Sequence, residues 1–409
     1  MTSQNLPLPL YAPPVVGEQC SVIGSRILAY NEDDQTVPVV FQRKYTVIKV
    51  LNYSRGPGCA STVSLCAWHT PASLNPSLPP LNKRPRYGEG NQIVVVKSRL
   101  NGGLQRDETK LTELKTLRDM PLHDNVIALY DFFFTFYEPP QLHLVLGNME
   151  GNLYQLIRTR RGRALAGGLV SSITHQIALG LNHIHEHNYF HFNLCPENIL
   201  VTSTGLYDYA EVPVSPNSNL SPASSKQKDV LVTIKISGFN LACRKGSKAP
   251  DMHAGFSWYS SPEVLLGDTD YSTPVDMWAF GAIIGEALRL QPMFPGHEGP
   301  LQVVRIAEML GAPPKFSRYD MNGQPADGGQ WPVGNILAAR AGITFPKIQA
   351  QPLSSLFAPT TPASLILMTR KLLMYDPQNR LTSKQCLEHA YFRETEPYRT
   401  IPPDYQVAS

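Results

Sequence analysis

The stretch His191-Phe192-Asn193-Leu194-Cys195-Pro196-Glu197-Asn198-Ile199-Leu200 constrains this chain more than any other. A helix leads into it. Residues 168–188 place Leu169, Ile173, Ile177, Leu181 and Ile184 on one face, as a buried helix requires. The stretch itself offers two amides, Asn193 and Asn198, and one thiol, Cys195. An amide cannot serve as a base near pH 7. His183, His185 and His187 precede it and read as helix surface or packing, because no carboxylate or cysteine completes a metal set.

The 409 residues suffice for two lobes with long insertions. Hydrophobic residues at 42% suit a soluble globular protein, and 36 prolines with only 17% charged residues imply long loops. A net charge of +3 is too small to point to nucleic acid. The six cysteines are scattered with no Cys-x-x-Cys pair. Neither a zinc site nor a disulfide framework is indicated, and reduced intracellular thiols are the simpler reading. Residues 1–16 lack a basic region followed by an apolar core, so no signal peptide is expected. No apolar run reaches membrane-spanning length. The expected location is the cytoplasm, the nucleus or both. Lys83-Arg84-Pro85-Arg86 reads as a solvated loop, with nuclear import as the minor reading.

Residues 1–43, with Pro7, Pro9, Pro13 and Pro14, read as an irregular N-terminal extension; short strands over 21–29 and 37–41 are the other reading. Strands are expected over 45–51, 63–68, 93–97 and 142–146, and a helix over 111–118 with Leu111, Leu114 and Leu117 on one side. Residues 70–90 are a Pro-rich insertion, and 203–230 are rich in Ser, Pro and Asn and read as disordered. Ser215 and Ser221 precede prolines and are candidate phosphoacceptors.

In order along the chain, these motifs resemble a eukaryotic protein kinase. The opening stretch is similar to the catalytic loop His-Arg-Asp-Leu-Lys-Pro-Glu-Asn-Ile-Leu. Gly56-Pro57-Gly58-Cys59-Ala60-Ser61-Thr62-Val63 resembles the glycine-rich loop, and Ile234-Lys235-Ile236-Ser237-Gly238-Phe239-Asn240 the strand and magnesium-binding turn. Gly151-Asn152-Leu153-Tyr154-Gln155-Leu156-Ile157, together with the run from Gly180 to His191, narrows the resemblance to the fungal meiosis-inducing kinases and their male-germ-cell-associated and intestinal-cell relatives. Met293-Phe294-Pro295-Gly296 resembles the insert of the CMGC group. The implied fold is α+β, with a β-rich lobe over 44–149, a helical lobe over 150–392 and a tail over 393–409. The resemblance implies a Lys97–Glu113 ion pair, a nucleotide pocket at Gly56, Gly58, Val63, Leu146 and Met149, and a metal ligand at Asn198. It also implies a structural tie at Asp276 and a buried Glu263–Arg380 pair.

The chemistry departs from that pattern. Asn193 stands at the base position, Cys195 at the phosphate-binding Lys and Phe192 at the Arg. Gly238 replaces the metal-binding Asp, and glycine offers no side-chain oxygen. The nearest upstream acid, Asp229, lies nine residues back, about 30 Å along a strand. Residues 52–55 are extra before the glycine-rich loop, Pro57 stiffens it and Ser61 takes its third glycine. The activation-loop phosphoacceptors fall on Asp251-Met252-His253, a receiving Arg on Ser260, and the Thr that joins base and Lys on Phe256. The expectation is a catalytically impaired kinase-like protein, a pseudokinase, that binds, scaffolds or regulates. A serine/threonine kinase with residual activity, supported by Lys97, Glu113 and Asn198, is the alternative; a metal-independent nucleotide switch is a third. No cofactor is expected to be required, ATP would bind weakly and the magnesium site would be lost. The expected partners are proteins, an active kinase or its substrate, rather than nucleic acid or membrane.

Overall fold

A computed structural model of the chain describes residues 15–30, 36–56, 59–69, 86–87, 91–100, 111–135, 141–204, 231–247, 258–296, 299, 301–313, 328–345 and 352–399. The chain forms two compact units. One comprises Met1–Leu122 and Ile127–Asn148, the other His123–Val126 and Met149–Ser409.

The first unit is built from β1 (Gln19–Tyr30), β2 (Thr36–Gly56), β3 (Cys59–Trp68), β4 (Arg86–Tyr87), β5 (Asn91–Leu100), α1 (Thr112–Asp119), β6 (Leu129–Thr135) and β7 (Gln141–Gly147). On β6 the period of two is complete: Leu129, Asp131, Phe133 and Thr135 are buried and the residues between are not. The strands run in the order β3-β2-β1-β6-β7-β5, and β5 pairs back to β3. Six strands therefore close into a ring. Tyr45, Val47, Cys66, Trp68, Val94, Val96, Phe133 and Val145 fill its core.

The irregular reading of residues 1–43 is corrected here. β1 pairs antiparallel with β2 from Gln19↔Thr46 to Tyr30↔Thr36, and Ser25 pairs with Phe134 of β6. The physical reason is the open edge. The N–H and C=O row along β2 is satisfied by the added strand, which also bridges to β6 at one position. Position 43/44 is no boundary, because β2 runs through it. Arg43 within β2 is buried and donates from Nε to Asp131 Oδ2 at 2.7 Å. Residues 1–14 lie outside the described residues, as do 70–85 and 88–90 of the first insertion; between these, Arg86–Tyr87 pair with β5 as β4.

His143 of β7 is also buried in this unit. Its ring stacks on Phe133 at 4.6 Å between centroids. Nδ1 meets Ser98 Oγ at 2.8 Å and Nε2 meets Thr135 Oγ1 at 3.4 Å. Burial pushes its pKa down to about 4.

The second unit contains β8 (Gly151–Asn152), α2 (Leu153–Thr159), α3 (Gly167–Glu186), β9 (Tyr189–Phe190), β10 (Ile199–Thr204), β11 (Leu231–Ile236), β12 (Cys243–Arg244), α4 (Pro262–Leu265), α5 (Pro274–Arg289), α6 (Gln302–Leu310), α7 (Pro332–Arg340), α8 (Ala363–Leu372), α9 (Ser383–Leu387) and α10 (Ala390–Glu394). α2 starts with a capping box: Asn152 Oδ1 accepts from Gln155 N at 2.9 Å, and Gln155 Oε1 from Asn152 N at 3.1 Å. On α3 the expected face, Leu169, Ile173, Ile177, Leu181 and Ile184, is buried. α5 is buried continuously from Val275 to Ala287, which makes it the helix the unit packs around.

β10 pairs with β11 and β8, and β9 with β12. The insertion between β10 and β11, residues 205–230, lies outside the described residues. Residues just past the domain end expected at 392 pack back on this unit. Arg399 Nη1 donates to Ser171 Oγ at 3.2 Å, so chain through residue 399 is held on α3. Among the described residues no helix is long and apolar enough to cross a membrane.

Candidate functional site

In the first unit β3 and β5 bring Val63 opposite Lys97. α1 supplies the partner: Lys97 Nζ donates to Glu113 Oε2 at 2.5 Å. Glu113 is 3% exposed and Lys97 18%, so the carboxylate is held out of water by its cation. Leu146 is buried in β7, paired across to Val95 and Leu129. Gly56 is the last residue of β2 and pairs with Cys59, while Pro57 and Gly58 lie outside the described residues. Residues 52–55, read as extra sequence, are ordinary strand: Asn52↔Val63, Tyr53↔Thr62, Ser54↔Ser61 and Arg55↔Ala60 continue the β2–β3 ladder.

In the second unit α3 delivers the chain through β9 into His191, and the first turn of α5 anchors it there. Asp276 is buried and accepts from His191 N at 2.7 Å, Phe192 N at 2.8 Å and the His185 ring at 2.9 Å. Three donors compensate a carboxylate cut off from water. They hold Phe192 at φ +63°, a conformation that L side chains rarely adopt. Its ring packs on Phe190 at 5.9 Å and Tyr271 at 5.5 Å, in a cluster with Cys243, Val264 and Val275. An apolar contact thus occupies the place of a phosphate-receiving cation.

His191 bridges two segments. Its Nε2 donates to Ser237 O at 2.8 Å and its Nδ1 accepts from Asn193 N at 3.3 Å, a pairing that suits the neutral ring. Asn193 Nδ2 donates to Asn240 Oδ1 at 3.2 Å, and Asn198 Nδ2 donates to Asn193 O at 2.7 Å. Asn193, Asn198 and Asn240 are therefore linked by amide bonds. Gly238 completes the group at φ +83°, and a Cβ added there would press on the Asn198 side-chain amide, which would have to shift. Cys195 is neutral: burial, aided by the Glu197 charge, pushes its thiol up to about 12. Met149 Sδ accepts from the Thr202 hydroxyl at 3.4 Å.

Asn193, Asn198 and Asn240 offer magnesium only amides and carbonyls, whereas that hard cation is usually bound through one or two carboxylates. The place an aspartate side chain would start from is filled by Asn198. Among the described residues no group of three or more His, Cys, Asp or Glu is placed to hold a metal. Asp251, Met252, His253 and Phe256 lie outside the described residues.

The supporting framework is complete. Arg380 Nη1 and Nη2 donate to Glu263 Oε1 and Oε2 at 2.6 and 2.7 Å. The remaining guanidinium hydrogens reach Met374 O, Pro274 O and Tyr375 O, and the plane lies 5.0 Å from the Trp278 ring centroid. Three participants escape the sequence reading. His185 completes Asp276 across 91 residues, a separation that no local spacing signals. Asn240 lies in the stretch that resembles the magnesium-binding turn, but nothing in the sequence marks it as the acceptor for Asn193. Glu286 accepts from the Tyr259 hydroxyl at 2.6 Å, and burial raises its pKa; a glutamate after the apolar run Met277–Gly285 was the available clue.

The protein kinase domain family matches residues 86–392. The meiosis induction protein kinase IME2/SME1 of Saccharomyces cerevisiae is 33% identical over 294 residues, 71% of this chain and 44% of that protein. The human serine/threonine-protein kinase MAK is 30% identical over 310 residues, 75% of this chain and 42% of its own length. Cyclin-dependent kinase F-3 of rice is 31% identical over 306 residues, 74% of this chain and 60% of its own. The chain spans less than half the length of the first two. With its α+β units and these matches, the chain belongs to the protein kinase family, among relatives that are serine/threonine kinases of the CMGC group.

Proposed function

We propose that this kinase-family protein has lost metal-dependent phosphoryl transfer and acts by binding, as a scaffold or allosteric partner of other proteins. The observation that carries this reading is the closed amide group. Asn193 is bonded to Asn240, Asn198 to Asn193 O, and Asn198 fills the space beside Gly238. A general base is worth about 10²–10⁴ in rate, and here the metal-binding carboxylate and the phosphate cation are replaced as well. The retained Glu263–Arg380 and Asp276 anchors support a fold kept for its surface. The partner is a protein, an active kinase or its substrate, met in the cytoplasm or nucleus. ATP binds weakly, and no cofactor is required.

A second reading, a serine/threonine kinase with residual activity, is favoured by the Lys97–Glu113 pair. The pair also fixes α1 without any nucleotide. Calorimetry with ATP, with and without magnesium, separates the readings when phosphotransfer is assayed on the same sample. The expected result is no magnesium-dependent binding and no transfer above the blank. Magnesium-dependent binding with turnover would overturn the proposal.

A further inference from the structure

The end of α2 carries four guanidinium groups in six residues: Arg158, Arg160, Arg161 and Arg163. The turn that displays them is tightly bonded. Arg160 N donates to Ile157 O at 3.2 Å, Arg161 N to Arg158 O at 3.3 Å and Arg163 N to Arg160 O at 3.0 Å. Arg160 turns inward, with Nε donating to Arg163 O and Nη2 to Ala164 O, both at 3.2 Å. Arg161 sits at φ +48° and Gly162 at +84°. Glycine adopts that region far more readily than arginine, so Arg161 stays there against its own preference. Arg161 and Arg163 are exposed, and among the described residues neither has a carboxylate partner.

The same part of the unit holds the root of a second feature. β8 leads directly into α2 and pairs with β10 through Gly151↔Val201 and Asn152↔Leu200. β10 ends at Thr204, and the chain returns at Leu231. The sequence between carries Asp208, Glu211 and Asp229 against Lys226 and Lys228, and two Ser-Pro pairs at Ser215 and Ser221. A phosphate on serine adds about −1.5 to −2 charge at pH 7 and three acceptor oxygens. Ser215 is eleven residues from Thr204 and Ser221 ten from Leu231. At roughly 3.3 Å per residue either serine reaches about 30 Å, against about 20 Å for the three residues from Val201 to Thr204 together with the whole of α2.

We propose that the arginine turn at 158–163 is a docking site for this chain's own segment 205–230 once a proline-directed kinase has phosphorylated Ser215 or Ser221. Arg161 and Arg163 grip the phosphate, whose oxygens match the planar guanidinium fork. Charge complementarity and tether length select this occupant.

The test uses the full chain carrying Ser215→Ala and Ser221→Ala, so that its own segment bears no phosphate there. A fluorescent peptide of residues 211–224, phosphorylated on both serines, is titrated by anisotropy. Saturable binding is expected, with the unphosphorylated peptide roughly tenfold weaker or worse. Arg161→Gly with Arg163→Ala keeps the left-handed turn and is expected to weaken binding by a similar factor. Arg340→Ala, at the exposed end of α7, is expected to leave it unchanged. Thermal melting confirms that each variant folds. Equal binding of both peptides, or binding indifferent to the Arg161/Arg163 change, would overturn the proposal. So would arginine-dependent sedimentation on phosphatidylserine vesicles without peptide binding, which would assign the turn to a membrane surface.

Discussion

At Gly238 the backbone lies at φ +83° with the Asn198 amide against its α-carbon. An L residue in that region costs roughly 1–2 kcal/mol. A side chain there also displaces Asn198 from its bond to Asn193 O, worth about 1 kcal/mol. Gly238→Asp is therefore expected to lower stability by about 2–3 kcal/mol, read from the denaturant midpoint. Combined with Asn193→Asp, it is expected to give no phosphotransfer. The sequence showed which groups had been replaced. It did not show that the space had closed, because that depends on where the Asn198 side chain points. His143 makes a different prediction. Its buried ring has a folded pKa of about 4, against 6.5 when unperturbed. The unfolded chain binds the proton first, so the stability contributed by the neutral ring is present above pH 6.5 and is lost as pH falls toward 4. Between pH 7 and pH 5 this group alone is expected to remove about 2 kcal/mol. The drop in unfolding free energy over that interval should shrink in His143→Gln.

Elements were legible where their pattern was local. The helix leading into His191 follows from periodicity, and the strands around Val95 and Val145 from short apolar runs in the order that the family resemblance implies. β1 was not, because what makes it a strand is far away. Its partner on one side, Phe134, is more than one hundred residues downstream of Ser25. Proline-rich sequence before it pulled the reading toward an irregular arm. Deleting residues 1–35 leaves β2 in place but strips one flank from β2 and β6. Hydrogen exchange is expected to rise at the first half of β2 and along β6, with β5 and β7 unchanged. Unchanged protection at β6 would mean that the contact at Ser25 contributes nothing.

On the scale of the whole molecule, the sequence read the frame better than the function. Glu263 and Arg380 are separated by 117 residues, yet their motifs identified them as a pair, and the bidentate contact joins α4 to the stretch before α9. Arg380→Met leaves Glu263 buried without its cation and is expected to cost about 3–5 kcal/mol, measured by urea unfolding. The ring of six strands in the first unit has a further consequence for recognition. Among its described residues β1 runs along β2 and bridges to β6 at Ser25↔Phe134, which reduces the open backbone that this side offers a visiting strand. A protein that grips this face is expected to read mainly side chains, because a peptide that mimics a β-strand finds less backbone there to extend. The same added strand leaves neighbouring copies a shorter template along which to stack.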